Sequence, residues 1–183
     1  YCFGEIEIDS IEMLKIGIAR SRKESVTRMR INGIDQRSMV NVASLLPILL
    51  ITPDTFKLVE GGPIERRKFL DWGVFHVEPS FKKVWKDWRI IHAQRNKLLK
   101  SANLTTAELD SWNVQYAKLA NEVVSLRKNY FEQLVSTHNC LFRNIPTSPL
   151  YLPPEILDDL KLSFYQGWPE KSDLLTVLEE NMI

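Results

Sequence analysis

Hydrophobic positions alternate with polar ones through the first thirty residues, and from Ser80 onward they follow a helical period instead. Phe3 to Ile8 sets Ile6 and Ile8 against Glu5 and Glu7, and Met13 to Ala19 puts Leu14, Ile16 and Ile18 on one face. Val26 to Ile31 continues the alternation up to Asn32-Gly33, a turn signal. An antiparallel meander of three strands is predicted. Met39 to Leu46 reads as a short helix stopped by Pro47. The continuous apolar run Ile48 to Ile51 predicts a strand buried on both faces. Thr52-Pro53-Asp54 breaks that run, and Thr52 or Asp54 is placed to cap a short helix through Val59.

Gly61-Gly62-Pro63 then hands over to a helix that Pro79 closes, because proline at a first helical position loses no hydrogen bond. Gly73 lies inside that helix at a cost of about 1 kcal/mol against alanine, which predicts a close packing contact. Arg67 and Asp71 stand one turn apart and can pair. From Ser80, Phe81, Val84, Trp88, Ile91, Arg95 and Leu98 recur at spacings of three and four, the seam of a coiled-coil-like pair. After a short loop at 101–104, Thr105 and Glu108 form a capping box. Leu109, Trp112, Tyr116, Leu119, Val123, Leu126 and Tyr130 keep the same seam to about Phe142, roughly 55 Å at 1.5 Å per residue. Two such helices joined by a tight loop should fold back as an antiparallel hairpin, with Trp88 and Trp112 as core residues. Pro146, Pro149, Pro153 and Pro154 mark an irregular return. Leu160 to Tyr165 alternates as a strand, Gly167-Trp168-Pro169 turns, and Asp173 to Ile183 begins a helix that is expected to be truncated.

Charge changes this picture locally and not globally. The formal net charge of +1 over 183 residues carries no overall basic excess, so any contact with nucleic acid must come from local asymmetry. Such asymmetry exists. Lys82, Lys86, Arg89, Lys97 and Lys100 fall on one side of the first long helix, opposite the apolar seam, with Lys83 beside them. They are either a solvated flank or a set of phosphate contacts. Arg20, Arg22, Lys23, Arg28, Arg30 and Arg37 likewise make either a charge-protected hairpin edge or a phosphate-contacting hairpin. Acids dominate the carboxyl end, from Glu155 to Glu180.

The chemistry is otherwise sparse. Cys2 and Cys140 are isolated, and His76, His92 and His138 share no motif, so neither a zinc site nor a metal cofactor is expected. Two isolated cysteines fit a reducing cytoplasm. The longest apolar run, Val42 to Ile51, is interrupted and too short to span a bilayer, so a soluble protein without a membrane partner is expected. There is no GxxxxGK[ST], no apolar strand ending in paired acids and no nucleophile elbow. The chain alone is expected to be catalytically silent. It also lacks an initiating Met and opens on a strand-like pattern, so it is expected to come from the middle of a longer protein.

One set of motifs is more specific. Leu46-Pro47, Thr52-Pro53-Asp54, Gly61-Gly62-Pro63, Arg66-Arg67, Phe69-Leu70-Asp71 and Gln94-Arg95-Asn96, in this order and spacing, resemble the central signature of the RecF family. These are bacterial DNA replication and repair proteins whose heads are similar to ABC and SMC ATPases. The likeness is strongest between Leu46 and Lys100, with Phe164-Tyr165-Gln166-Gly167-Trp168 as a weaker echo. It implies an α+β fold: an antiparallel β-meander from a lobe of an ATPase head, followed by a long antiparallel helical arm. The implied divisions are 1–62 for the head part, 63–145 for the arm, and 146–183 for a return strand and helix.

The resemblance also implies a function. The intact parent would be a weak ATPase that binds ATP and Mg, dimerises on ATP and binds DNA at gaps and single/double-strand junctions. It would act with RecO and RecR in recombinase loading and the SOS response, in the cytoplasm. The ATP motifs would lie outside this chain, which by itself would carry no cofactor. Asp54, Arg66, Arg67 and Asp71 would lie near the nucleotide or at the junction of head and arm, although no Gln stands where ABC-type ATPases keep their glutamine loop, and a helix cap is another reading of Asp54. Lys82, Lys86, Arg89, Lys97 and Lys100 would contact DNA. A different reading makes the helical hairpin a protein-interaction module with no direct role in DNA or nucleotide binding, since a basic stripe can also dock an acidic protein patch.

Overall fold

The computed structural model describes residues 2–8, 12–20, 27–101, 105–143 and 162–180. Strands β1 (Cys2–Ile8), β2 (Glu12–Arg20), β3 (Thr27–Ile31) and β4 (Ile34–Gln36) form one antiparallel sheet in sequence order. Gly4 pairs with Ile16, Ile18 with Met29 and Ile31 with Ile34. The fourth strand extends the predicted three-stranded meander. Asn32 and Gly33 take positive φ of 50° and 81°, the geometry a two-residue hairpin needs, so the chain turns straight back after Ile31. Asn32 also ties the turn to β2. Its side-chain oxygen accepts from the Lys15 N–H, and its own N–H donates to the Lys15 carbonyl, both at 2.9 Å.

Helix α1 (Met39–Leu45) is capped by Ser38, whose Oγ accepts from the Val40 N–H. It sets Val42 against Ile16 and Met29, with Ile31 and Leu46 packed around them. The period-2 face of the strands and one face of the helix thus make the core of the first of two compact units, 1–56.

The run Ile48 to Ile51 does not form the predicted doubly buried strand. Its residues are irregular and stay 62%, 52%, 75% and 83% exposed in turn. An apolar run becomes a strand only where a neighbouring strand completes its hydrogen bonds, and no described strand lies beside this one. A 3-10 turn follows at Pro53–Phe56. Thr55 closes it, its Oγ1 accepting from the Thr52 N–H and its own N–H donating to the Thr52 carbonyl, each at 2.8 Å.

The second unit, 57–183, is helical. It holds α2 (Lys57–Glu60), α3 (Pro63–Val77), α4 (Phe81–Leu98), α5 (Thr106–Arg143) and α6 (Leu174–Glu180). Gly62 is the N-cap of α3 and Pro63 its first residue, as the turn signal implies. The capping box at α5 forms: Thr105 Oγ1 donates to Glu108 at 2.7 Å, and the Glu108 N–H reaches back to Thr105 Oγ1 at 3.4 Å. Helices α4 and α5 run antiparallel, since Arg95 meets Asn113 near the loop while Phe81 and Val84 meet Val123.

Val74, Phe81, Val84 and Val123 form the core where α3, α4 and α5 converge. A second core joins α5 to α6 through Ala117, Ala120 and Leu174, with Trp88, Tyr116 and Trp168 packed against it. Leu162 to Gln166 forms no strand, and the preceding residues of the predicted 160–165 strand lie outside the described residues, as does the proline-rich return at 146–154. Gly167, at φ 109°, makes the turn before α6. No described helix is long and apolar enough to cross a membrane.

Candidate nucleic-acid interface and the helix junction behind it

Asp71 lies on the face of α3 that meets α5, and three helices converge on it. Arg127 of α5 donates to both of its oxygens, from Nε at 2.6 Å and from Nη2 at 2.8 Å. Trp85 of α4 adds its indole N–H at 3.3 Å. The two charged side chains are only 13% and 20% exposed. The expected Arg67–Asp71 pair therefore does not form, and Arg67 points to solvent. A planar guanidinium arriving in bidentate geometry at a mostly buried carboxylate outcompetes an exposed pair along one helix, worth about 0.3–0.5 kcal/mol.

Next to this node Gly73 sits against the Tyr130 ring so closely that a Cβ there would collide with Cζ and Oη. That is the close contact its place inside a helix predicts. Burial raises the Tyr130 phenol above its ordinary pKa.

Arg66 turns the other way. Its Nη1 donates to the carbonyl of Gly61 at 2.7 Å and reaches those of Leu58 and Val59 at 3.4 and 3.5 Å, so it caps the end of α2. Asp54 stands in the first turn of the 3-10 helix, in the other unit. Within the helical unit, Arg66, Arg67 and Asp71 thus part ways: Arg66 closes α2, Asp71 joins α5 and α4, and Arg67 lies at the surface.

Lys82, Lys86, Arg89, Lys97 and Lys100 are all exposed, as is Lys83, while Phe81, Val84 and Arg95 on the opposite side of α4 are buried. Arg89 is the most constrained of the set. Its guanidinium lies over the Trp85 ring, 4.8 Å from the centroid, and Trp85 is itself held by Asp71. The node behind the helix therefore positions a cation on its outer face.

Near the loop end the seam turns polar. Arg95 Nε donates to Asn113 Oδ1 at 2.7 Å, with Asn113 fully buried and the guanidinium 5.5 Å from the Tyr116 ring centroid. Next to it His92 stacks on Trp88 and faces Tyr116. The Asn96 amide lies 3.0 Å from His92 Nε2. Burial, and then the charge of Arg95, push the His92 imidazole below its ordinary pKa.

Arg127 and Asn113 escape a linear reading. Arg127 is 56 residues from its partner, and no periodic signal links them. Asn113 left a trace, because a charged Arg95 at a seam position requires a polar acceptor on the facing helix.

The sequence has no phosphate-cradling glycine loop, and no cluster of three His, Cys, Asp or Glu side chains among the described residues could hold a metal ion.

Fold and surface together define a class: an α+β protein with an antiparallel sheet unit and a unit built on a long helical hairpin that carries one cationic face. The same fold occurs in two solved structures of the recombination mediator protein RecF in the RecFOR pathway. The one described as RecF-ATPrS has a TM-score of 0.61 at 19% identity, covering 72% of this chain and 36% of that one. The one described as RecF-ATP has a TM-score of 0.56 at 19% identity, covering 67% and 33%.

Sequence relatives make the assignment particular. The DNA replication and repair protein RecF of Hahella chejuensis is 43% identical over 168 residues, 91% of this chain and 44% of that protein. RecF of Pseudomonas aeruginosa is 36% identical over 181 residues, 99% and 46%. RecF of Pseudomonas putida is likewise 36% identical over 181 residues, 99% and 47%. The chain is similar to these RecF proteins along nearly its whole length, and it spans less than half of theirs. No family model matches it.

Proposed function

We propose that this chain is the central region of a RecF-type protein of DNA replication and recombinational repair, and that its helical arm contacts DNA through the exposed face of α4. The parent binds DNA in an ATP-dependent manner at gaps and single/double-strand junctions in the cytoplasm. It works with RecO and RecR in recombinase loading and the SOS response. Its weak ATPase activity and ATP-dependent dimerisation belong to parts outside this chain, where ATP and Mg are held. Asp54, Arg66, Arg67 and Asp71 act on the architecture between head and arm: Arg66 by closing α2, Asp71 by fixing α3 to the arm.

The observation that carries the DNA contact is the cationic face itself. Lys82, Lys86, Arg89 and Lys97 are exposed along α4 opposite its packed side, and Lys100 is exposed in the turn just past its end. Phosphate contacts of this kind are sequence-independent and release counterions, so affinity falls with salt by about 0.9 per contact on a log–log scale. In the full-length protein with ATP, replacing Lys82, Lys86 and Arg89 with Glu should weaken binding to every duplex sequence alike and flatten the slope by about 2.7. A triple variant with the parent's slope and affinity would refute the contact and favour a protein-docking arm.

A further inference from the structure

The cations on α4 and in the turn that ends it are not evenly spread. Lys82, Lys86 and Arg89, with Lys83 beside them, form one cluster, and Lys97 and Lys100 form another. Between Arg89 and Lys97 the outer face carries no charge: Ala93 lies on it, Ile90 and Gln94 are exposed beside it, and Asn96 is half-buried. Arg95, the one cation in the interval, is turned into the seam against Asn113. Asp87, the one acid of α4, lies off this face and is half-buried. Arg89 and Lys97 are eight residues apart, about 12 Å at 1.5 Å per residue.

The geometry points to α4 as a bridge across a duplex groove, with the near cluster on one row of phosphates and the far cluster on the other. This deepens, and rests on, the DNA contact argued above. The major groove of B-DNA is about 12 Å wide and its two rims are the phosphate rows, so the uncharged interval matches the opening between them. A helix that followed a single strand would meet an unbroken row of phosphates and would gain from an even row of cations. The stacking of Arg89 on Trp85 holds the inner edge of the near cluster in place.

The test uses the full-length protein with ATP and a duplex in which one strand carries neutral methylphosphonate linkages. On the unmodified duplex, Lys97→Gln/Lys100→Gln should lower the salt slope by about 1.8, and Lys82→Gln/Lys86→Gln/Arg89→Gln by about 2.7. Neutralising one strand should lower the slope of the unaltered protein. In the variant lacking the far cluster the same neutral strand should cost about 1.8 less, because the duplex can turn its neutral row toward the missing cations. If neutralising one strand leaves the slope of the unaltered protein unchanged, the stripe follows a single row and the bridge is wrong. If neither cluster variant alters the slope on the unmodified duplex, the DNA contact fails as a whole. Circular dichroism on each variant confirms that these exposed substitutions leave the helices intact.

Discussion

Replacing Arg127 with Ala would leave the Asp71 carboxylate mostly buried with only the Trp85 indole N–H as a donor. The pair joins residues 56 positions apart through two hydrogen bonds at 2.6 and 2.8 Å, with the side chains 13% and 20% exposed. Exposed ion pairs are worth about 0–1 kcal/mol, whereas breaking a buried one costs about 3–5 kcal/mol because a charge is stranded. At this exposure the cost should fall between, at about 2–3 kcal/mol, part of it from the lost packing of the arginine stem. Asp71→Asn should cost less, about 1–2 kcal/mol, since the amide oxygen still accepts from Trp85 or Arg127.

The assay is equilibrium urea unfolding of Arg127→Ala, Asp71→Ala and the double variant. The cycle should return a coupling of about 2 kcal/mol between the two positions. Arg67→Ala, by contrast, should be nearly neutral. A coupling below about 0.5 kcal/mol, within ordinary additivity, would show that α3 is not fastened to the arm at this node. So would an Arg67→Ala variant as unstable as Arg127→Ala.

Gly73→Ala should destabilise the protein by about 1–2 kcal/mol, the balance of overpacking against Tyr130 and a helix-propensity gain of about 1 kcal/mol. In a Tyr130→Ala background the same substitution should turn stabilising, which thermal unfolding of the four combinations would show. His92 should make the second unit pH-sensitive. Its pKa is lowered in the folded chain by burial and by Arg95, so the unfolded chain takes up a proton first as pH falls. The stability it contributes is therefore complete above the unfolded value of about 6.5 and is lost progressively below it, down to the folded pKa. Thermal melts of the parent and His92→Gln between about pH 7.5 and 5.5 should diverge, with the variant flatter; parallel profiles would remove His92 from the account.

Local physics alone determined a large part of this molecule. Alternation over residues 3–31, the Asn32-Gly33 turn, Pro63 at a first helical position, the Thr105–Glu108 capping box and the seam of α4 and α5 are short-range signals. Each depends on residues within a turn or a few turns of one another, so the sheet, the helices and the hairpin were legible before any coordinates. The exposure of Lys82, Lys86, Arg89 and Lys97 on α4 followed from the same periodicity.

What tertiary structure decided was partnership. Asp71 had a neighbour in Arg67 one turn away, yet took Arg127 and Trp85, because a fork from another helix in a drier place is stronger than an exposed pair on its own. Arg66 closed α2, Asn113 answered Arg95, and Ile48 to Ile51 found no strand to pair with among the described residues. Periodicity states which side of an element is buried. The residue found there is chosen by the crossing of elements far apart in the chain, and that is written only in three dimensions.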